Sequence, residues 1–297
     1  MIDTSRLRVL HQVALQGSFS RAAAALRITP SAVSQQVAAL ERSVGATVVI
    51  RTSRGVTLTD AGRLLVEAAE AVTAELTTTR QRIDRLVGGR TPLRIATFGS
   101  GGRALLPAAL TRLLAVHPAL ELTVLQREPE DSLPLLRQGA VDLALAYSFD
   151  EPQPLTPGEQ RRLVWTPLPD DPMYAVLPRS HPLAARARLD LAELVDQRWV
   201  LGCLKTESQL RRHAARVGIE LDIAASTTDY FFAQALVRAG VGVSLIPRVA
   251  LEESPEQEVV ELGPYRPVRH VAAVTTRRGL AAPHLALLVE LLAASGT

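Results

Sequence analysis

Polar side chains that could hydrogen-bond to the edges of DNA bases lie along one face of a predicted helix. Apolar residues recur there at helical spacing and would face a core: Val33, Val37, Leu40 and Val44. The opposite face then carries small or amide side chains: Ser31, Ala32, Ser34, Gln35, Gln36 and Ala39. Glutamine can bond adenine, hydroxyls can bond bases or phosphates, and alanine can contact the methyl group of thymine. This face fits a helix placed in the major groove, although a plain solvated face stays an alternative.

Positive charge is concentrated in the first fifth of the chain. Residues 1–59 contain seven arginines against two acidic residues, a net charge of +5, whereas the whole chain carries +3. The remaining residues are therefore slightly acidic in sum. A local basic excess of this kind is what binding to a phosphate backbone requires. The seven arginines are Arg6, Arg8, Arg21, Arg27, Arg42, Arg51 and Arg54.

Three short helices would present the polar face. We expect helices over Ser5–Leu15 and Arg21–Leu26, and a third that starts at Pro30 or Ser31. Thr29 is a suitable N-cap for the third helix. Pro30 suits its first position, because the missing N–H of proline would have no helical partner there. The pattern predicts a helix-turn-helix.

Two short apolar runs after these helices, Thr47–Ile50 and Val56–Leu58, predict a two-stranded wing. Between them, Arg51 and Arg54 are candidate contacts to phosphates or to the minor groove, with a solvated turn as the alternative. The candidate DNA-binding residues are therefore Ser20, Arg21, Ser31, Ala32, Ser34, Gln35, Gln36, Arg51 and Arg54.

A long helix should follow, capped by Thr59. Its apolar positions recur in alternating steps of four and three residues: Leu65, Ala69, Val72, Leu76, Thr79, Ile83 and Leu86. Such a heptad seam predicts pairing with the same helix of a second copy, and packing against the head is the alternative. A dimer would place two reading helices on an inverted-repeat operator in double-stranded DNA.

From residue 93 onward, apolar strands alternate with helices, which predicts a parallel sheet covered on both faces. In a two-lobed domain of this kind, ligands bind in the crevice at the carboxyl ends of the strands. The expected fold class is thus α/β with an all-α/winged-helix N-terminal domain.

Composition and motifs exclude several classes of protein. Hydrophobic residues make up 47% of the chain, which is typical of globular proteins rather than disordered ones. The absence of an apolar leader and of a bilayer-length apolar run favours a cytoplasmic protein over a periplasmic solute-binding module. No nucleophile elbow, zinc-protease motif or cysteine and histidine cluster occurs, so we expect no catalysis, no metal and no cofactor.

Five stretches carry a resemblance to a known family: GSFSRAAAAL, TPSAVSQQVAALERSVG, R-x-x-RGVTLTDAG, VDLALAY and LVRAGVGVSLIP. With them the chain resembles LysR-type transcriptional regulators from end to end. The resemblance implies a winged helix-turn-helix, a dimerising linker helix and an effector domain of two α/β subdomains with the fold of periplasmic solute-binding proteins. Such regulators are commonly tetramers, and RNA polymerase is a further candidate partner. Val48 and Val49 depart from the pattern, which usually has leucine and phenylalanine there.

These expectations give a domain plan. Residues 1–59 form the winged helix-turn-helix, residues 60–89 the linker and dimerisation helix, and residues 90–297 the effector-binding domain. Within the last, we expect one subdomain at about 90–165 and 267–297, and the other at about 166–266.

Residues at the expected crevice could bind a small-molecule effector. Ser100, Gly101 and Gly102 follow a strand and run into a helix, whose N–H groups and dipole would suit an anion. The full set of candidates is Ser100, Gly101, Gly102, Glu128, Cys203, Thr206, Ser208, Thr227, Thr228 and Phe231. For each of them, capping or loop solvation is the alternative.

Cys203 is the only cysteine of the sequence, which excludes an internal disulfide. A small buried hydrophobic residue is the favoured interpretation. Redox sensing is the alternative, because some peroxide- and electrophile-sensing members of the family use cysteines in this region. Those sensors usually need a second cysteine that resolves the oxidised one.

Two substitutions separate base reading from phosphate binding. We expect Gln35→Ala to relax sequence preference, because an amide that bonds a base edge carries sequence information. We expect Arg54→Ala to weaken binding to all sequences and to lower the salt slope by about 1. Titrations of cognate and random duplexes at several salt concentrations measure both effects. Equal losses on cognate and random DNA for Gln35→Ala would contradict the assignment.

Overall fold

The computed structural model describes residues 2–53, 55–88, 90–149, 162–194, 196–216, 220–263 and 266–294. The chain divides into two units, residues 1–92 with 134–141 and residues 93–133 with 142–297. Two expected features fall outside the described residues: the candidate DNA-binding residue Arg54, and residue 89 at the end of the expected linker helix. The side chain of Leu86 also lies outside the described part.

The head begins with the three expected helices, α1 (Thr4–Gln16), α2 (Phe19–Leu26) and α3 (Pro30–Val44). Their ends follow from local chemistry. Ser18 Oγ accepts from the N–H of Arg21, and Thr29 Oγ1 accepts from the N–H of Ala32 at 3.2 Å, so the predicted cap at Thr29 is confirmed. Gly45 ends α3 with a φ of 73°, a left-handed conformation that glycine adopts without strain.

The wing consists of β1 (Val49–Thr52) and β2 (Gly55–Leu58), which pair antiparallel. Its base is fastened to the next helix, α4 (Asp60–Gly88), through Thr59. The Thr59 hydroxyl donates to Thr47 O at 2.8 Å and accepts from the N–H of Gly62 at 3.0 Å, while its N–H donates to Val48 O. The expected cap is therefore present, and it also joins the wing to the long helix.

The seam along α4 has two kinds of neighbour. Leu65 and Ala69 pack against the head, together with buried residues of α1 such as Leu10 and Val13. Farther along, Leu76 is 66% exposed and Ile83 is 49% exposed. Packing against the head, the alternative to pairing, therefore holds for the first two seam positions, whereas the later positions whose side chains are described, from Val72 to Ile83, are exposed in the single chain.

The second unit contains strands interleaved with helices. Its earlier elements are β3 (Thr91–Thr97), α5 (Gly99–Val116), β4 (Leu120–Gln126), α6 (Pro129–Arg137), β5 (Leu143–Ser148), β6 (Leu163–Pro167), β7 (Asp171–Pro178), β8 (Arg188–Leu189) and β9 (Arg198–Leu201). The later elements are α7 (Leu204–Arg216), β10 (Asp222–Ser226), α8 (Tyr230–Arg238), β11 (Ser244–Pro247), β12 (Gln257–Leu262), β13 (Val268–Thr276) and α9 (Pro283–Ala294).

The main sheet is mixed rather than parallel. Its strand order is β4-β3-β5-β13-β7-β12-β8, with β11 added to β7 and β6 added to β13. β3 and β5 are parallel, as are β9 and β10 in a separate pair. β13 runs antiparallel to β5, β6 and β7. β7 also runs antiparallel to β11 and β12. The prediction of a parallel sheet is therefore wrong for the strands around β13 and β7, because the chain returns through the centre of the sheet.

Two buried cores lie in this unit. The first contains Leu93, Ile95, Leu113, Leu143 and Leu292, and the second contains Met173, Trp199, Leu201, Val237 and Ile246. Phe149 packs against both cores. Two cores within one unit are compatible with two lobes, whose residue boundaries stay a prediction.

Close packing at the start of α4 generates a prediction for stability. A Cβ at Gly62 would overlap the carbonyl oxygen of Val48 in the base of the wing. We expect Gly62→Ala to reduce the free energy of unfolding of the head by about 1–3 kcal/mol, the usual cost of overpacking. Hydrogen exchange of the amides in α1–α3 measures this local stability.

A matched control is Gly45→Asn, since the space around Gly45 is open and asparagine tolerates the left-handed conformation. This control should cost less than about 1 kcal/mol. A Gly62→Ala head as stable as the parent would contradict the close approach.

Candidate DNA-binding face and effector cavity

The structure places most of the predicted DNA-binding side chains at the surface of the head. Ser20, Arg21, Ser31, Gln35 and Arg51 are exposed, whereas Ala32, Ser34 and Gln36 are half-buried. Arg54 lies outside the described residues. Val33, Val37 and Leu40 are buried beneath α3, as the helical spacing predicted. The polar face of α3 therefore points away from the core of the head.

Several contacts hold the wing against the three helices. Glu41 Oε1, near the end of α3, accepts from the N–H of Val48 at 2.8 Å. The N–H of Val56 donates to Gly17 O at 3.0 Å. These bonds attach the wing to both the α1–α2 turn and the reading helix, so that the wing and the polar face of α3 form one surface.

Arg51 of the wing contacts both of the later helices of the head. Its Nη2 donates to Ser34 Oγ at 2.9 Å. Its guanidinium lies 4.3 Å from the centroid of the Phe19 ring, a cation–π contact. The predicted phosphate contact is thus a side chain with a defined position in the free head.

A cavity of about 430 Å³ opens in the second unit. It lies where β3, β5 and β9 end and where α5 and α8 begin. Its lining consists of Phe98, Gly99, Ser100, Arg103, Gln126, Glu128, Tyr147, Gly202, Cys203, Thr228, Asp229, Tyr230, Phe231 and Arg269. This position matches the expected crevice at the carboxyl ends of strands, and the volume is that of a small-molecule site.

A buried ion pair forms one wall of the cavity. Arg269 on β13 is 1% exposed and donates through Nε to Asp171 Oδ2 at 3.0 Å, with a second bond from Nη2. Its Nη1 and Nη2 also donate to Ser100 Oγ at 3.2 Å. The other oxygen of Asp171 accepts from the N–H of Val249 at 3.1 Å. A buried charge is tolerated when it is paired and hydrogen-bonded in this way.

Aromatic rings enclose the same guanidinium. It lies 5.1 Å from the Phe98 centroid, 4.9 Å from Tyr147 and 5.5 Å from Tyr230. Burial acts to lower the pKa of Arg269, but the pKa is raised above its ordinary value, with the charge of Asp171 and the hydrogen bonds to it acting against burial. Arg269 is therefore a permanent cation.

Two tyrosine hydroxyls stand beside the cysteine. The hydroxyl of Tyr147 donates to Glu128 Oε2 at 2.8 Å and lies 3.4 Å from Cys203 Sγ. The hydroxyl of Tyr230 lies 3.1 Å from Thr206 Oγ1. Burial is the main cause that raises the pKa of Tyr147 and of Tyr230 above the ordinary value, and for Tyr230 the charge of Arg269 acts in the opposite direction without outweighing burial. Both phenols are therefore neutral hydrogen-bonding groups.

The structure brings only part of the predicted effector set into the cavity. Ser100, Glu128, Cys203, Thr228 and Phe231 line it. Five other candidates do not: Gly101, Gly102, Thr206, Ser208 and Thr227. Gly101 packs under the Phe98 ring, and Thr206 bonds Tyr230 behind the wall.

Sequence reasoning missed several lining residues, notably Arg103, Tyr147, Asp229, Tyr230 and Arg269. Tyr147 could have been found, because it is the last residue of the VDLALAY stretch and lies near the carboxyl end of β5. No sequence pattern marks Arg269 as a cavity residue, because it lies inside a strand and not at its carboxyl end.

The cavity carries charges of both signs. Arg103 and Arg269 contribute positive charge, and Glu128 and Asp229 contribute negative charge. The first turn of α5 opens into the cavity without a side-chain cap. The N-terminus of α5 therefore favours the expected anion. The side chains of the cavity do not add to this preference, because their positive and negative charges balance.

Other kinds of site are absent from the described part of the chain. No group of three or more histidine, cysteine, aspartate or glutamate residues there could hold a metal ion. Among the described helices, none has both the length and the apolar character that a membrane crossing requires.

The buried phenols generate a prediction for pH dependence. Unfolded tyrosine ionises near pH 10, whereas Tyr147 and Tyr230 have raised pKa values in the folded chain. Their contribution to stability is therefore complete below about pH 10 and is lost progressively as the pH rises above it. We expect the free energy of unfolding to fall above about pH 10, and to fall less steeply in Tyr147→Phe or Tyr230→Phe. Urea denaturation across this range measures the slope.

Tyr174→Phe is the matched control, because Tyr174 is a tyrosine of the same unit outside the cavity. An identical pH slope for the parent and for both cavity variants would contradict the prediction.

Comparisons with known proteins agree with this architecture. Residues 4–63 match the family model of bacterial regulatory helix-turn-helix proteins of the lysR family, and residues 88–296 match the LysR substrate binding domain. A probable hydrogen peroxide-inducible genes activator of Mycobacterium avium is 31% identical over 284 residues, which cover 90% of this chain and 86% of that protein.

Solved structures share the fold. A full-length OxyR variant from Pseudomonas aeruginosa matches with a TM-score of 0.60 and 21% identity, covering 98% of this chain and 95% of that one. Full-length CbnR in complex with its target DNA matches with a TM-score of 0.55 and 22% identity over the whole of both chains. The relatives are transcriptional regulators and not enzymes. The chain belongs to the LysR family of transcriptional regulators, with a helix-turn-helix head and an effector-binding domain.

Proposed function

We propose that this regulator binds an inverted-repeat operator through the polar face of α3 and the wing. The observation that carries the proposal is the single surface formed by exposed Ser31 and Gln35 on α3 and by Arg51 on the wing. Side chains on α3 would read bases, and the arginines would bind phosphates. Ser20, Arg21, Ala32, Ser34, Gln36 and Arg54 complete the proposed contact set.

We further propose that two copies pair through α4. Leu64, Val72, Leu76 and Ile83 are exposed on this helix although they are large and apolar. Val72, Leu76 and Ile83 belong to the predicted seam, and these exposed positions continue for several turns beyond the part that packs against the head. Contact between two such helices would remove these side chains from water and would bring two heads to one operator. A tetramer would require a further interface.

A charge in the seam tests pairing and DNA binding together. We expect Leu76→Arg to shift the chain from dimer toward monomer, because the charge would be buried against its own copy. Binding to a duplex with two half-sites should then fall toward the affinity for a single half-site. Analytical ultracentrifugation and duplex titration measure the two effects, on operator sequences selected from a random library by the parent chain.

Ala71→Arg introduces the same side chain, with the same change of charge, at an exposed position of α4 outside the seam, and it should keep both properties. A Leu76→Arg chain that stays dimeric would contradict pairing through this seam. Failure of the parent to enrich any duplex would contradict the proposed function itself.

We propose that the cavity of the second unit holds a small-molecule effector. Its volume, the uncapped first turn of α5 and the polar groups of Ser100, Glu128 and Tyr147 support this role. Binding would change the arrangement of the two lobes, and with it the operator affinity or the activation of RNA polymerase. Acting on chromosomal DNA places the regulator in the cytoplasm.

A response to peroxide is a second candidate function. The relative from Mycobacterium avium is named for hydrogen peroxide, and Cys203 lines the cavity beside the Tyr147 hydroxyl. The Cys203 thiolate would attack one oxygen of hydrogen peroxide, forming an S–O bond and breaking the O–O bond, and the departing hydroxide would take a proton to leave as water. Because the sequence contains one cysteine, the product would be a sulfenic acid without an internal disulfide.

Mass spectrometry after peroxide treatment distinguishes the two candidates. Addition of one oxygen to the parent but not to Cys203→Ser, with a change in operator affinity only in the parent, would favour peroxide. An unchanged operator affinity after Cys203 is oxidised would rule it out.

A further inference from the structure

Ser34 lies on the face of α3 proposed to meet DNA, yet its hydroxyl is engaged within the head. It accepts the hydrogen bond from Arg51 Nη2 at 2.9 Å, and the side chain is half-buried. This bond occupies one of the two lone pairs of the hydroxyl, and the charged donor directs the remaining O–H away from itself. Gln35, by contrast, is exposed at the next position.

Arg51 is held at two points. Ser34 fixes one end of the guanidinium, and the Phe19 ring supports its face at 4.3 Å. A guanidinium has five N–H donors, and within the described part of the chain the bond to Ser34 uses one of them. The others stay available for a phosphate, which arginine binds with geometric specificity.

Backbone hydrogen bonds hold the wing strand that carries Arg51 against the helices of the free head. The wing is tied to α3 through Glu41 and Val48, and to the α1–α2 turn through Val56 and Gly17. Arg51 therefore cannot move independently of the reading helix. An exposed arginine normally loses rotamer freedom when it binds phosphate, and ordering it beforehand reduces that cost.

We propose that Ser34 is a positioning residue that holds Arg51 in a phosphate-binding orientation, and that it does not read bases. This inference rests on the proposed DNA-binding function. It assigns sequence preference on α3 to the exposed amide side chain of Gln35 and its neighbours. It assigns to the Ser34–Arg51 pair a contribution to DNA affinity that is the same for every DNA sequence.

A double-mutant cycle on the full chain tests the assignment. The probes are a duplex selected from a random library by the parent and a random duplex of equal length. We expect Ser34→Ala to weaken binding to both duplexes by the same factor, about threefold to tenfold, with an unchanged salt slope because no charge is lost. In an Arg51→Ala background, adding Ser34→Ala should have no further effect.

Control variants separate positioning from structural damage. Ser34→Thr keeps the hydroxyl and should keep the affinity of the parent. Ser43→Ala removes a serine at the far end of α3 whose hydroxyl bonds Leu40 O, and it should leave binding unchanged. Phe19→Leu removes the aromatic ring that contacts the Arg51 guanidinium. It should weaken binding to both duplexes in the parent and have no further effect in the Arg51→Ala background.

Three results would overturn the assignment. These are a loss for Ser34→Ala that is larger on the selected duplex than on the random one, an equal loss with and without Arg51, and no loss at all. If the parent itself binds neither duplex, the proposed function fails. If the parent binds but the cycle shows no coupling, only the role of Ser34 fails.

Discussion

The fold of the second unit depends on one buried guanidinium, that of Arg269, which is satisfied by protein groups instead of water. Arg269 stands on β13, the strand that joins β5, β6 and β7, and it is stable there only because Asp171 and Ser100 satisfy its donors. Breaking a buried pair of this kind costs about 3–5 kcal/mol. Asp171 in turn holds the N–H of Val249, so the charge fixes the beginning of α5, the central strands and the chain after β11 at once. The cavity has its shape because these elements meet at a single cation.

The fold of the head could be predicted almost completely from the sequence, because the sequence signals that determine its helices are local. Ser18, Thr29 and Thr59 cap the helices that follow them, and Gly45 ends α3. Each of these effects acts within three or four residues. The apolar spacing in α3 likewise decided which side chains would be buried.

The second unit could be derived only in part. Helices and strands with long apolar runs were predicted, but β6, β8 and β12 were not. β8 has only two residues, and β12 alternates with charged side chains. The antiparallel placement of β13 depends on long-range pairing, which no local pattern encodes. For the same reason, neither the partners of Arg269 nor the place of Tyr230 in the cavity wall could be predicted.

Thr59 gives the head a mechanical property. Its hydroxyl and N–H fasten the wing base, at Thr47 and Val48, to the first turn of α4. Gly62 allows the two to approach without intervening side chains. Because Glu41 also bonds the base of the wing to α3, a twist of the long helix about its own axis would move the basic hairpin and the reading helix together. A small rotation far from the duplex would then change the angle at which the whole head meets the DNA, with the reading helix itself left undeformed.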